Sequence, residues 1–432
     1  MFVFIFFWCV AFFSPLILRN TPFSMSLNRS NYIGFYWLYS VNIFVLLGVV
    51  LFYFNGLNAT HSFYLTEESI SHASYWAVYQ VIVFFVFLKA LFIFAGYLRR
   101  TYGRTHIYHD SAISGGLFLL SCNTIALLAI FFIFYLFGGK NAFFQSFIFG
   151  QDLLSARLAN SNLSLPSIFL SYLRFLVTLG VVLLAAYWKS INNLYRSAHI
   201  VILIFGATFL GSKAPILQSL LLFFLSYLTF NKVKPSKGLI LIPAIALVLY
   251  FSLLFILSLQ YESFDLYAFF EGRVIYGQVH GFYEQFSLHL RDASYIFHAI
   301  PFANLFLDYP VYNRDLMSWT WGMNVASNEI GVMNSLFGGE ALAIGGYYLL
   351  FISPFIVAAS YFLLYQLLYK LFIFFAKDPF ISSVLSASYI LFDIYITADI
   401  SGFLFFKYHV MHLIFFVPFF VVFILVNQFR RF

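Results

Sequence analysis

EALAIGGYYLLFISPFIVAASYFLLYQLLY, residues 340–369, holds one charged side chain, Glu340, in thirty residues. At about 1.5 Å of rise per residue, a helix of that length exceeds the roughly 30 Å hydrocarbon core of a bilayer. Similar runs recur along the chain, which is 62% hydrophobic and 9% charged over 432 residues, with a mean hydropathy of +0.90. That is too little charge to solvate a globular surface. Inside lipid every backbone N–H and C=O has to be paired within the protein, so only helices or a closed barrel can cross. Continuous apolar runs without apolar/polar alternation exclude the barrel. The chain reads as an all-α, polytopic integral membrane protein.

Outward from 340–369, about eleven spans are expected: roughly 1–18, 31–54, 75–97, 113–137, 166–188, 197–211, 214–230, 238–258, 340–369, 379–398 and 408–427. They divide the chain into an N-terminal transmembrane bundle of about eight spans (1–258), one large extramembrane loop (259–336) and about three C-terminal spans (337–432). Arg19 and Arg29; Arg99, Arg100 and Arg104; Lys189 and Arg196; Lys232, Lys234 and Lys237; Lys370 and Lys377; and Arg430 and Arg431 fall in alternate connections. On that side only Asp110 and Asp378 oppose them. By the positive-inside rule these connections are cytoplasmic. The N-terminus is then outside, the C-terminus is inside, and the 259–336 loop lies on the outer face. The formal net charge of +7 is a topology signal, not a nucleic-acid footprint.

The same rule shapes residues 198–230. They are too long for one span, and the basic residues on either side belong to one face. Two short helices turning at Gly211-Ser212-Lys213 satisfy both, with glycine permitting the tight turn. At the start of the chain, MFVFIFFWCVAFFSPLILRN has its arginine after the apolar run, the reverse of a signal peptide, and reads as a retained first span. Cys9 and Cys122 fall in expected spans and share no metal-ligand spacing. Lys89 and Arg174 also lie within spans. An intramembrane cation faces a cavity or a partner, which makes each a site candidate, with an ion pair to Asp393 as the structural alternative.

The extramembrane loop holds three arginines, eight carboxylates and three histidines. From Arg273, the residues Tyr276, His280, Glu284, Ser287 and Arg291 recur at helical spacing, opposite Val274, Phe282, Phe286 and Leu290. This predicts one amphipathic helix presenting two cations, an imidazole and a carboxylate on one face. Gly277 and Gly281 work against it. Further on, PVYNRDLMSWTWGMN (310–324) supplies Tyr312, Arg314, Trp319 and Trp321. Flat aromatic faces and a planar guanidinium suit sugar rings and phosphates, and the same aromatics also suit a membrane interface.

Other chemistries lack support. There is no GxxxxGK[ST], no GxGxxG after a strand, no HExxH and no Asp-x-Asp pair. His106/His109 and His409/His412 have i,i+3 spacing without a third ligand nearby, so no metal and no cofactor is expected.

Many spans, the Gly211-Ser212-Lys213 turn opening a short helix, a large late outer loop with an early arginine (Arg273) and the run Asn328–Gly346, NEIGVMNSLFGGEALAIGG, together resemble the bacterial oligosaccharide repeat-unit polymerases, the Wzy-type O-antigen or capsule polymerases. The sharpest element is Gly339 and Glu340 followed by Gly345 and Gly346 where a span begins. In such polymerases the turn residue is often arginine. Lysine keeps the charge and loses the bidentate fork.

The resemblance implies a GT-C-like helical fold and a metal-independent glycosyl transfer on the outer face of the bacterial inner membrane. The growing glycan leaves undecaprenyl pyrophosphate and joins the non-reducing end of a newly flipped lipid-linked repeat unit. Membrane lipid surrounds the enzyme, a chain-length regulator protein is a further partner, and nucleic acid is not. Departure of pyrophosphate calls for fixed cations, for which Lys213, Arg273, Arg291, Arg314 and Arg174 are candidates. The acceptor hydroxyl calls for a base, for which His280, Glu284 or Glu340 are candidates. In this scheme Arg273 and Lys213 hold the pyrophosphate, with Glu340 or His280 near the acceptor, and Tyr276, Tyr312, Trp319 and Trp321 contact sugar. The alternatives are an O-antigen ligase of like architecture, a lipid-linked glycan flippase or other secondary transporter, and a membrane acyltransferase or structural protein. A transporter is expected to show internal repeats and a cation-lined mid-membrane cavity. An acyltransferase would want a cavity histidine, for which only His409 and His412 qualify.

Overall fold

The computed structural model describes residues 1–25, 31–59, 64–102, 112–150, 167–209, 214–233, 248, 275–303, 306–321 and 333–429. Among them the structure is helical, with no β-strand. In chain order the helices are α1 (Phe2–Phe13), α2 (Gly48–Ala59), α3 (Glu67–Tyr102), α4 (Ala112–Leu136), α5 (Ala142–Phe149), α6 (Ser167–Ala186), α7 (Asn193–Thr208), α8 (Ala214–Phe230), α9 (His280–Leu288), α10 (Tyr312–Trp321), α11 (Leu336–Ala376), α12 (Pro379–Asp393) and α13 (Lys407–Phe429). A π-helical stretch, Leu38–Leu47, leads into α2.

Among the described residues, six helical stretches are long and apolar enough to cross a membrane: Ile33–Gly56, Glu67–Gly96, Gly115–Leu136, Ile168–Ala186, Leu336–Ala376 and Leu404–Leu425. Phe2–Leu18, Pro215–Phe230 and Pro379–Asp393 are shorter apolar helices. The chain is therefore a polytopic helical membrane protein. With α7, these stretches overlie the expected spans except 238–258, which lies outside the described residues save for Val248. Two helices, α7 and α8, pack against each other where a hairpin was expected. The turn between them, Gly211-Ser212-Lys213, lies outside the described residues.

The core forms where α11 packs on α3, α12 and α4, and where α6 packs on α8, α12 and α4. Trp37 meets Phe85 edge-on at 5.0 Å and Phe84 meets Tyr361 at 5.2 Å. A Cβ built on Gly115 would lie 2.5 Å from the Phe375 carbonyl oxygen, so α4 and α11 touch backbone to backbone there. Ile93, Ile125, Phe132, Val201 and Val421 stay exposed on the outside, where lipid is the solvent. Local chemistry sets the helix ends. Asn192 accepts from the Tyr195 N–H at 2.8 Å to start α7. Asp378 accepts from the Phe380 and Ile381 N–H groups at 2.7 and 2.9 Å, and Pro379 then opens α12. The Lys89 ammonium donates to the Arg19 main-chain oxygen, which makes it a structural contact between α3 and the end of the first helix.

Two expectations change. The 340–369 run is not one straight span: α11 starts at Leu336 and is interrupted at Gly345 (φ −127°) and Gly346 (φ 65°, ψ −159°). That places Glu340 on a short buried helix ahead of the long one. The 273–291 helix is also broken. A 3₁₀ turn at Tyr276–Gln278 precedes α9, which ends at His289 in the left-handed conformation (φ 51°). All residues from His280 to Phe286 are buried, because α9 packs between α3 and α11 instead of lying on water. Tyr283 stacks on Phe52 at 4.1 Å, and its hydroxyl is 2.9 Å from Ser74 Oγ. His280 and Glu284 do align, but on a buried face, and Arg291 lies beyond the end of the helix, so the exposed polar row does not form.

Candidate functional site

A cavity of about 430 Å³ lies where the ends of α6, α12 and α13 meet the large loop and the α12–α13 connection. The first turns of α6 supply Arg174, and the last turns of α12 supply Tyr389 and Asp393. The first turns of α13 supply Lys407, Tyr408 and His412. Asp399 and Ser401 come from the α12–α13 connection, and His298 and Asn313 from the large loop. These groups are far apart in sequence and meet because the loop packs on that connection, with the 3₁₀ helix Ala293–Ala299 against Ile400–Gly402.

Hydrogen bonds hold the arrangement. Glu340 is fully buried, and its Oε2 accepts from the Ser401 N–H at 2.7 Å. His298 Nδ1 lies 3.0 Å from Ser401 Oγ and 4.0 Å from Glu340 Oε1. Asn313 Nδ2 donates to Asp399 Oδ2 at 2.6 Å. The Lys407 ammonium donates to the His298 main-chain oxygen. His412 Nε2 lies 2.6 Å from the Tyr389 hydroxyl. Burial, with Lys407 and Arg314 nearby, lowers the His298 pKa to about 4, so its imidazole is neutral at pH 7. Burial pushes the Asp399 carboxyl up, and the Asn313 hydrogen bond and Lys407 only partly offset this.

Arg174 and Asp393 also line a narrow space that continues between α6 and α8 as far as Ala207 and Ser219. Ala207 and Ser219 in turn border an apolar groove of about 250 Å³ between α6, α7 and α8, walled by Trp188, Ile204 and Phe223. A charged chamber, a narrow space and a hydrocarbon-lined groove thus adjoin in series, an order that suits an amphiphile with an anionic head.

Of the residues singled out in the sequence, Arg174, His412 and Glu340 reach this site: Arg174 and His412 line the cavity, and Glu340 lies just behind its wall. Arg314 is exposed on α10 beside Asn313 and acts on His298 through its charge. Arg291 is directed elsewhere. Its guanidinium donates to the Leu342 carbonyl and lies 5.9 Å from the Tyr347 ring, bridging the break in α11. His280 and Glu284 pair at 2.9 Å in a separate buried cluster beside Phe52. Tyr276 is buried edge-on against Phe52 at 4.9 Å, and buried Tyr312 donates to Gln285 Oε1 at 3.2 Å, so neither lines the cavity. Trp319 is exposed on α10. Lys213, Arg273 and the Trp321 side chain lie outside the described residues, as do His106 and His109. Asp393, expected at most as a partner for Arg174, lines the cavity with it, and no hydrogen bond reaches its Oδ2.

His298, Asn313, Asp399 and Lys407 were missed. Lys407 did carry a signal, since it is a lone cation in a connection that the positive-inside rule puts on the acidic side. Comparison of the chain with protein-family models, curated proteins and solved structures finds no match.

Proposed function

We propose that the chain is a bacterial inner-membrane polymerase of lipid-linked oligosaccharide repeat units, of the O-antigen or capsule kind, with about eleven spans in a GT-C-like arrangement. The observation that carries this reading is that the Arg174–Lys407 chamber, the narrow space beside it and the apolar groove between α6, α7 and α8 lie in series, each sharing lining residues with the next. An undecaprenyl pyrophosphate donor has both parts, a diphosphate for the chamber and an isoprenoid tail for the groove. The helix ends around the chamber are those that the charge pattern assigns to the outer face, where flipped repeat units arrive.

In the proposed cycle the bond between the anomeric carbon and the pyrophosphate oxygen breaks. The acceptor hydroxyl of the incoming unit forms the new glycosidic bond, and its proton passes to a carboxylate. Asp393 suits that role, because it lines the chamber and its Oδ2 has no hydrogen-bond partner. Arg174 and Lys407 stabilise the charge that develops on the departing pyrophosphate. A chain-length regulator is the expected protein partner.

The test is reconstitution of the purified chain in vesicles with undecaprenyl-pyrophosphate-linked repeat units. Products of two or more units, with release of undecaprenyl pyrophosphate, are expected. Transfer of single units only onto a lipid A core acceptor would make the chain a ligase, and movement of intact units across the bilayer without extension would make it a flippase.

A further inference from the structure

Behind the chamber wall lies a group that the proposed transfer leaves unused. His298, Glu340 and Asp399 each offer one ligand atom, and these atoms lie within 4.8 Å of one another, the one such group of three among the described residues. Two of their oxygens are orphaned: among the described residues, Glu340 Oε1 and Asp399 Oδ1 are buried without a hydrogen-bond partner. Glu340 is fully buried, so bulk water does not reach it. The nearest cation, Lys407, gives its ammonium hydrogen bond to the His298 main-chain oxygen and makes no ion pair within 4.0 Å among the described residues. Two buried carboxyl groups therefore stand beside one ammonium, and burial favours whatever neutralises them.

We propose that His298, Glu340 and Asp399 bind a divalent cation of the Mn²⁺ type at the chamber wall. Two carboxylates with one imidazole suit a cation that accepts both oxygen and nitrogen ligands. Bonds of about 2.1 Å put ligands at right angles about 3.0 Å apart, so the three atoms, now within 4.8 Å of one another, close by about 1–2 Å when the cation binds. Three protein ligands leave coordination positions open toward the chamber. That a diphosphate oxygen completes the shell rests on the proposed transfer, whereas the cation site itself does not. Sequence spacing pointed away from metal chemistry because the three ligands come from the loop, the broken start of α11 and the α12–α13 connection.

The experiment is a Mn²⁺ titration of the purified full chain in detergent after chelator treatment, read by loss of the free Mn²⁺ electron paramagnetic resonance signal. Wild type is expected to take up one equivalent and to gain melting temperature as it does. Glu340→Gln and Asp399→Asn each keep an acceptor for their present donors, so they should melt in chelator no lower than wild type yet bind Mn²⁺ at least about tenfold more weakly. Absence of wild-type binding at millimolar Mn²⁺ overturns the proposal, and so does unchanged affinity in both variants. If a variant unfolds, the wild-type titration and His298→Gln decide in the same way. Binding without glycan extension would refute the transfer reading alone, and extension without binding would refute the metal site alone.

Discussion

Glu340 accepts a hydrogen bond from the main-chain N–H of Ser401 at 2.7 Å, tying the short first segment of α11 to the connection between the last two membrane helices. The acid sits there because Gly345 and Gly346 break the helix behind it, so the segment turns into the protein instead of continuing along the span. Glu340→Ala would leave the Ser401 N–H buried without an acceptor, at a cost of about 1–3 kcal/mol. Glu340→Gln keeps an oxygen acceptor and should lose much less. Thermal unfolding in detergent separates the two. Equal losses would mean that this hydrogen bond does not hold the segment.

Arg291 bridges the same break, donating to Leu342 ahead of it and lying beside Tyr347 after it. Arg291→Ala should therefore lower stability by about 1–3 kcal/mol, the range for a hydrogen bond from a charged group, and Arg291→Lys should recover part of it. Had Arg291 been a phosphate contact, alanine would remove activity and leave the melting temperature in place. Measuring both quantities on one preparation distinguishes these roles.

Gly346 holds φ 65° and ψ −159°, a combination open essentially to glycine alone, and an added Cβ would approach the Arg291 guanidinium at 3.1 Å. Gly346→Ala is expected to cost about 1–3 kcal/mol by thermal unfolding. A neutral result would show that the break can be rebuilt around a side chain.

Ser219 lies on both the narrow space and the apolar groove. Ser219→Phe should obstruct a long tail while leaving the chamber open. Excluding two methylenes from burial costs about 1.6 kcal/mol, so turnover of the long-chain carrier at limiting concentration should fall about tenfold. A short-chain carrier should be nearly unaffected. Equal loss for both carriers would place the tail elsewhere.

How far the sequence could be read depended on whether an interaction is local. The long apolar helices were legible because lipid demands them, and the pairing of α7 with α8 was legible from the basic residues on either side. Glu340 stood out as the one charged residue in 340–369. The α9 face was misread because a helical repeat shows which side chains align and not what covers them. Both sides of α9 meet protein, and Gly277 lies in the 3₁₀ turn that ends the continuity. Asp399, Lys407 and His298 were invisible as a group because only the packing of the large loop on the α12–α13 connection brings them together.

The role proposed for the chamber lined by Arg174 and Lys407 is extension of glycan chains. Its most direct test is the gel profile of surface glycan from a deletion strain complemented with wild type, Arg174→Ala or Lys407→Ala at matched protein levels. Single repeat units are expected in the deletion, a full ladder with wild type, and a ladder lost or strongly shortened in both variants. A normal ladder from either variant, or a deletion that abolishes the single-unit species as well, would contradict it.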